Sequence, residues 1–307
     1  MAIKINIDAG HGGNTAGKRT PPFPYDVKIN DKITVKKGEQ LKEHIANAGV
    51  AYYLEQELKR NGFVTMKTGW NDINGSDDAD TPIVDRQKSI KSAKCDYSIS
   101  VHFNAYGDGK EFNSASGMGI YIHDKYPGQS KKMAETVLKH LIQNTGQNNR
   151  GVNSNALAMC NCNSLGTKAA ILIELAFMTN YKEAVAMMAN EAYWKECAVK
   201  ICKGVCEYTG VKYKADSYMP ADTVTPQSSK ADIRWVQERL NTVLPQIYDP
   251  IKDIIPLKVD GSFGPKTRIA TLLYWDALGW GKHMNDDGTR IGKSTREALA
   301  ASLLSDG

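Results

Sequence analysis

The sequence predicts an α/β protein with a mostly parallel mixed sheet sandwiched by helices, followed by a small all-α domain. Apolar strand-like segments alternate with helical patterns through residues 1–210, which is typical of a sheet covered on both faces. Residues 211–229 are polar, contain Pro220 and Pro226, and show no apolar periodicity, so we expect a linker there. The patterns recognised beyond residue 230 are helical.

The first predicted strand leads directly into a glycine-rich turn. Ile3, Ile5 and Ile7 alternate with polar residues, which is the period of a half-buried strand. Glycines flank the next histidine, His11, and allow a sharp turn because glycine adopts positive φ without a steric penalty. A single histidine at a strand end is more often structural than a metal ligand, so the interpretation depends on the rest of the chain.

Two later strand-like segments carry polar groups near their ends. Residues 97–105 contain His102, and the near-continuous apolar segment 170–177 is interrupted by Glu174. Burying an unpaired carboxylate is costly, so Glu174 is expected to be paired or functional. Two histidines and a glutamate, each at a strand end, suit a zinc hydrolase site with nitrogen and oxygen ligands and a nearby base.

Three blocks of the sequence resemble the signature motifs of the zinc-dependent N-acetylmuramoyl-L-alanine amidases, in the Amidase_3 branch found in bacterial autolysins and phage endolysins. They are Asp-Ala-Gly-His-Gly-Gly at 8–13, Ser-Val-His-Phe-Asn-Ala at 100–105 and Ile-Glu-Leu-Ala-Phe-Met-Thr-Asn at 173–180. The blocks occur in the family's order and cover about the first two thirds of the chain.

The resemblance implies a set of site residues. His11, Glu43 and His102 would bind one Zn²⁺, with water in the open position. Glu174 would take a proton from that water and pass it to the departing amine. The resemblance also implies substrate-binding or supporting positions at Asn104, Gly117 and Arg150.

The third ligand is chosen by its position in a helix predicted from about residue 39 to residue 61. Counting back from Gly62, Glu43 falls where the family places its zinc-binding glutamate, and Glu39 is the competing candidate. An acidic residue in a first helical turn is often only a partner of the helix dipole.

We expect His44 to lie on a different face of this helix from Glu43 and to be exposed. Arg86 matches an arginine of the family and is expected to brace a loop.

Three expectations concern the surrounding segments. Residues 14–38 contain three prolines and are predicted to form a long irregular loop beside the site. Residues 149–152 resemble a family loop near the bound peptide. His123, at the end of another predicted strand, is expected to be solvated.

The C-terminal region resembles the helical peptidoglycan-binding domain of wall hydrolases, from residue 230 to about 303. Residues 259–267 and a looser copy at 287–295 share Asp-Gly, a later Gly, and Thr three residues after it. The resemblance implies an amidase domain at 1–210, the linker, and a wall-binding domain at 230–307. Residues 244–256, with three prolines, depart from the compact form as an insertion. At least two of three aromatic residues are expected in the core: Tyr274, Trp275 and Trp280.

Composition limits the function classes. The net charge of +5 gives neither part of the chain the basic surface of a nucleic-acid-binding protein, although it suits an anionic cell wall. No apolar run is long enough to cross a bilayer, so we expect no membrane insertion. The six cysteines are sparse and do not suggest a disulfide framework, and Cys160 and Cys162 lack a second pair at zinc-finger spacing.

The implied activity is hydrolysis of the amide between N-acetylmuramic acid and L-alanine in peptidoglycan. The alternatives are a peptidoglycan endopeptidase, a wall-binding protein without catalysis, and an unrelated zinc deacetylase. Because the first strand begins at Ile3, we see no secretory signal. We therefore expect synthesis in the cytoplasm and action on the wall after release, by phage lysis or mother-cell lysis.

Overall fold

The computed structural model describes residues 2–30, 33–215, 218–247, 254–280 and 287–301. Two compact units divide the chain, Met1–Asp216 and Ser217–Gly307. The strands, all in the first unit, are Lys4–Ala9 (β1), Val27–Lys28 (β2), Thr34–Val35 (β3), Val64–Thr68 (β4), Tyr97–Asn104 (β5), Met118–His123 (β6), Asn149–Asn155 (β7) and Ala169–Phe177 (β8). The helices of this unit are Glu43–Arg60 (α1), Ile83–Ser92 (α2), Ser130–Ile142 (α3), Cys162–Leu165 (α4), Tyr181–Glu183 (α5) and Glu191–Thr209 (α6), with a 3-10 turn at Ala158–Cys160 and a π turn at Ala184–Met188.

Six strands form one sheet in the order β4-β1-β5-β8-β6-β7. The first four are mutually parallel, β6 is antiparallel to β8, and β7 is parallel to β6. The predicted mostly parallel mixed sheet is therefore confirmed. Because of these directions, the carboxyl ends of β1, β5 and β8 meet the amino ends of β6 and β7 at one edge of the sheet.

Helices cover both faces of this sheet, as predicted. The larger core lies under α1, α3 and α6 and includes the fully buried Leu54 and Trp194. A smaller core around Ile90 and Leu165 lies on the other face, with α2 and α4. All six cysteines are buried free thiols. Over the described ranges, each helix is too short or too polar to cross a bilayer.

Two sequence-based expectations about loops were wrong. Residues 14–38 were expected to be irregular, yet β2 and β3 pair there as an antiparallel hairpin whose Val27 and Val35 face the core. Residues 149–152 were expected to be a loop, but they belong to β7, at the end of the sheet order. The Asn-rich sequence of β7 has little strand propensity, so the strand is stabilised by its hydrogen bonds to β6.

The second unit has its own helices and core. Its helices are Lys230–Ile247 (α7), Pro265–Ala277 (α8) and Lys293–Ala301 (α9). Tyr274 and Trp275 are buried in the core and Trp280 packs partly against it, so the prediction that at least two of them are core residues is confirmed. Within the predicted insertion, residues 248–253 lie outside the described residues. The assignment of residues 230–307 to wall binding stays a prediction.

Candidate metal centre

The side chains of His11, Glu43 and His102 converge at the edge where β1 and β5 end. Glu43 Oε2 lies 3.2 Å from His11 Nε2, and Glu43 Oε1 lies 3.1 Å from His102 Nδ1. One potential ligand atom from each residue lies within 4.8 Å of the others. Within the described residues, this is the one group of three or more His, Cys, Asp or Glu side chains that could hold a metal ion.

Glu43, and not Glu39, brings a carboxylate to the two histidines. Glu43 is the first residue of α1 and is almost completely buried. Although burial alone would raise the pKa of Glu43, its hydrogen bonds with His102 and His11 outweigh that effect and hold the pKa well below its usual range. Glu39 is exposed and accepts a hydrogen bond from the Lys36 backbone N–H.

Glu174 adds a second, different carboxylate. It lies on β8 directly opposite His102 in the β5–β8 pairing. The residue is partly exposed, yet its Oε2 is shielded from solvent and has no hydrogen-bond partner. Burial raises the pKa of Glu174 to about 8, opposed by the His102 charge and reinforced by that of Glu43. A buried, unpaired acceptor beside three ligand-type side chains suits a proton-transfer group.

The backbone of His11 is strained and held in place by Arg86. His11 has a φ of 65°, a left-handed conformation that is uncommon for residues other than glycine. Arg86 of α2 donates hydrogen bonds to Ala9 O at 2.7 Å and to His11 O at 2.6 Å. The prediction that Arg86 braces a loop is confirmed, and that loop presents His11.

A buried polar network lies beneath the turn, and sequence reasoning missed its centre, Asp8. Asp8 Oδ2 accepts a hydrogen bond from Ser100 Oγ at 2.6 Å. Asp8 Oδ1 accepts from Thr68 Oγ1 at 2.9 Å and from Arg86 Nη1 at 3.0 Å. Asp8 thereby joins β1 to β4, β5 and α2. The available signal was an aspartate at the end of a buried strand, which must find partners.

The expected exposure of His44 was wrong, since its side chain is fully buried. Its Nδ1 lies 2.7 Å from Gly10 O and its Nε2 lies 3.0 Å from Asp78 Oδ2. These two contacts tie the His44 ring to the turn at Gly10 and to the loop that carries Asp78. Asn47 also donates to Gly10 O, at 3.1 Å, and to Glu43 Oε1, at 3.2 Å. The apolar periodicity of α1 gave no sign that a second, polar face is buried against the turn.

The three predicted supporting residues lie near this edge but have different surroundings. Asn104 ends β5, and its Oδ1 accepts from the Ala105 N–H at 2.8 Å. Gly117 has a φ of 104°, and a Cβ there would lie 2.3 Å from Asn148 O, so a glycine is required. Arg150 is exposed, and its guanidinium lies 4.9 Å from the centre of the Phe177 ring. Their roles toward a substrate stay predictions.

The expectation that His123 is solvated was wrong. The residue is buried at the other end of β6, away from the metal-type cluster. Its Nδ1 accepts hydrogen bonds from the backbone N–H groups of Lys125 and Tyr126, both at 3.1 Å. These bonds make His123 a cap for the chain that leaves the strand, and strand periodicity alone did not indicate that function.

Residues 5–207 match the family described as Amidase_3, N-acetylmuramoyl-L-alanine amidase. The chain belongs to this family. The endolysin of Bacillus phage SPP1 is 24% identical over 238 residues, 78% of each protein. The N-acetylmuramoyl-L-alanine amidase LytC of Bacillus subtilis strain 168 is 25% identical over 205 residues, which are 66% of this chain but only 35% of LytC.

Solved structures agree with the family assignment. An N-acetylmuramoyl-L-alanine amidase from Clostridium difficile 630 is 25% identical, with a TM-score of 0.53 over 69% of this chain and 98% of that one. The catalytic domain of CwlV from Bacillus (Paenibacillus) polymyxa var. colistinus gives a TM-score of 0.52 at 25% identity, over 69% of this chain and 100% of that one. The predicted amidase-like fold is confirmed, and the enzyme is an N-acetylmuramoyl-L-alanine amidase.

Gly10 offers a direct test of the site geometry. A Cβ on Gly10 would lie 2.0 Å from Cε1 of the His102 ring, so a Gly10→Ala variant must displace that ring. We expect zinc affinity to fall about 10- to 100-fold, the range typical of changes to groups that orient ligands. Equilibrium dialysis with metal analysis measures the effect. A Gly292→Ala variant, where a Cβ meets open space, is the control, and equal zinc affinity of the two variants would contradict the geometry.

Proposed function

We propose that His11, Glu43 and His102 hold one Zn²⁺, with which this amidase hydrolyses the amide between N-acetylmuramic acid and L-alanine. The observation that carries the proposal is the convergence of two imidazoles and one carboxylate beside the unpaired Oε2 of Glu174. Three protein ligands of this kind with a fourth position open are typical of catalytic zinc sites. Calcium or magnesium would instead favour a set made of oxygen ligands.

The residues around the site have separate roles in metal binding, proton transfer and positioning. Zinc at this position would polarise the scissile carbonyl and lower the pKa of the attacking water. Glu43 supplies the anionic ligand, and Asn47 holds its Oε1. Glu174 accepts the water's proton and delivers it to the nitrogen of the departing L-alanine, which leaves as a neutral amine. Arg86, His44 and Asn47 fix the turn that presents His11.

Product analysis tests this proposal. The zinc-loaded protein is incubated with purified peptidoglycan, with and without a chelator, and new amino termini and reducing sugars are measured. We expect new L-alanine termini, no new reducing ends, and loss of the signal with the chelator. A different new terminus would make the enzyme an endopeptidase. Retention on the wall without any product would leave a binding protein.

We further propose that the second unit binds peptidoglycan and that the enzyme reaches the wall after lytic release. Wall binding by the second unit is supported by the repeated Asp-Gly motif. The Asp-Gly pair of the first copy precedes α8, and that of the second copy precedes α9. Sedimentation with insoluble peptidoglycan should retain the full chain more strongly than a chain that ends at residue 215. Equal retention would remove wall binding from the second unit.

A further inference from the structure

Three segments that border the metal-type cluster carry aromatic side chains, and the rings of these side chains contact one another. The excursion between His11 and Glu43 contributes Phe23, the loop after β5 contributes Phe112, and α5, which follows β8, contributes Tyr181. The ring centroids of Phe23 and Phe112 are 5.8 Å apart, and those of Phe112 and Tyr181 are 5.2 Å apart. Phe23 is buried, Phe112 is half-buried and Tyr181 is 36% exposed, so the row runs from the core to solvent.

A further tyrosine, Tyr106, extends into solvent from the same loop as Phe112. Its side chain is 67% exposed and, among the described residues, makes no hydrogen bond or ring contact. Its backbone, in contrast, is firmly held. The Tyr106 N–H donates to Thr179 Oγ1 at 3.0 Å, and Asn113 Nδ2 donates to Tyr106 O at 2.8 Å. Because the backbone is already fixed, binding of a ligand to this ring costs little backbone conformational entropy.

The loops that carry these rings leave the sheet next to the strands that carry His102 and Glu174. Asn104 O accepts a hydrogen bond from Met178 N at 2.7 Å, so β5 and β8 leave the sheet side by side. Asn113 N also donates to Thr179 O at 2.7 Å, which joins the two following loops. Tyr106 is four residues beyond His102, so their Cα atoms are at most about 14 Å apart. We call Tyr106, Phe112 and Tyr181 the aromatic ridge.

We propose that the aromatic ridge is a subsite for a sugar ring of the peptidoglycan glycan strand. This inference rests on the proposed function, because the scissile amide is attached through a lactyl group to a muramic acid ring, so the glycan must pass close to the site. The face of an aromatic ring is electron-rich, and the C–H face of a pyranose carries weak positive charge that packs against it. The ring faces themselves are uncharged and suit the apolar face of a sugar ring, and two charged side chains of the same loop, Lys110 and Asp108, are paired with each other at 3.4 Å.

Binding of a peptide-free glycan tests the subsite independently of catalysis. The full-length wild type and a Tyr106→Ala/Tyr181→Ala variant are titrated with a soluble tetrasaccharide of alternating N-acetylglucosamine and N-acetylmuramic acid, whose lactyl carboxyl groups are converted to simple amides so that the probe is uncharged. We expect the Kd of the double variant to be at least 10-fold higher. A Tyr106→Phe/Tyr181→Phe variant should bind like the wild type, because it keeps the ring faces. Any binding by the second unit adds a site that is common to all variants, so the number of sites and the Kd of each site are fitted. An alanine variant with the same number of sites and the same affinities as the wild type would overturn the proposal.

Kinetics separate the subsite from the catalytic machinery. On uncross-linked glycan strands with stem peptides, the double alanine variant should show a KM about 10-fold higher with a similar kcat. Tyr126→Ala is the matched control, since Tyr126 is 45% exposed but follows the opposite end of β6. An equal loss in Tyr126→Ala, or a loss confined to kcat, would contradict a sugar subsite. If the wild type releases no L-alanine termini, the proposed function fails while the glycan-binding result still stands.

Discussion

A Glu174→Gln variant should lose about 10²- to 10⁴-fold in kcat while it keeps zinc, the range that a general acid–base group typically contributes. Glutamine has nearly the same shape but cannot accept the water's proton. The Glu174 Oε2 has no hydrogen-bond partner, so the substitution breaks no contact made by that atom. Turnover of peptidoglycan and zinc content by atomic absorption are measured on the same sample. Full turnover in this variant would remove Glu174 from the mechanism.

The pH dependence of that rate should identify the same carboxylate. Glu174 must be ionised to accept a proton, so the rate falls as the pH drops through its pKa. Burial raises the pKa of Glu174 to about 8, and a bound cation nearby lowers it, because positive charge favours the carboxylate. We therefore expect an acidic limb in kcat below pH 8 that is missing from the residual rate of Glu174→Gln. The same limb in both proteins would assign it to another group.

A Glu43→Gln variant should lose stoichiometric zinc, whereas Glu39→Gln should retain it. Glu43 supplies the only carboxylate among the three converging side chains of the described cluster, and an amide is a poor zinc ligand. The Glu39 side chain is exposed, and its one described hydrogen bond comes from the Lys36 N–H, so it is a control of the same chemical type. Metal analysis after dialysis against a weak chelator compares the two variants.

The opposite result for this pair, with zinc lost from Glu39→Gln alone, would contradict the assignment. Equal retention in both would show that the histidines suffice for binding. His11→Ala and His102→Ala, measured in the same way, should each lower the metal content. Thermal unfolding of every variant shows whether zinc loss reflects the ligand or the fold.

The sequence predicted the site residues on the strands better than it predicted the helix, the loops and the buried polar groups around them. His11 follows a strong strand pattern and His102 and Glu174 lie within two others, and parallel strands bring their carboxyl ends to one edge. Convergence of these residues was therefore accessible from periodicity, whereas Glu43 lies on a helix and required the family resemblance. The helix pattern alone could not decide between Glu43 and Glu39.

The residues that sequence reasoning misjudged depend on long-range contacts. His44 is buried because α1 packs its polar face on the turn at Gly10 and on Asp78, which is 34 residues away. The strand β7 forms because it hydrogen-bonds to β6, and its own Asn-rich composition would not predict a strand. Asp8 is stabilised by Thr68, Arg86 and Ser100, each at least 60 residues distant. Partners at such separations leave no local pattern.

The network around Asp8 also determines how the site opens. The carboxylate joins β1 to both neighbouring strands and to α2, and the Gly10 N–H donates to Val101 O at 3.0 Å. We therefore expect release of His11 to require separation of the centre of the sheet, and not the fluctuation of one loop alone. In native-state hydrogen exchange, the Gly10 amide should be protected by a free energy close to that of global unfolding of the first unit. The metal-binding turn would thus share the slowest-exchanging core of the protein, unlike the mobile loops that carry many active sites.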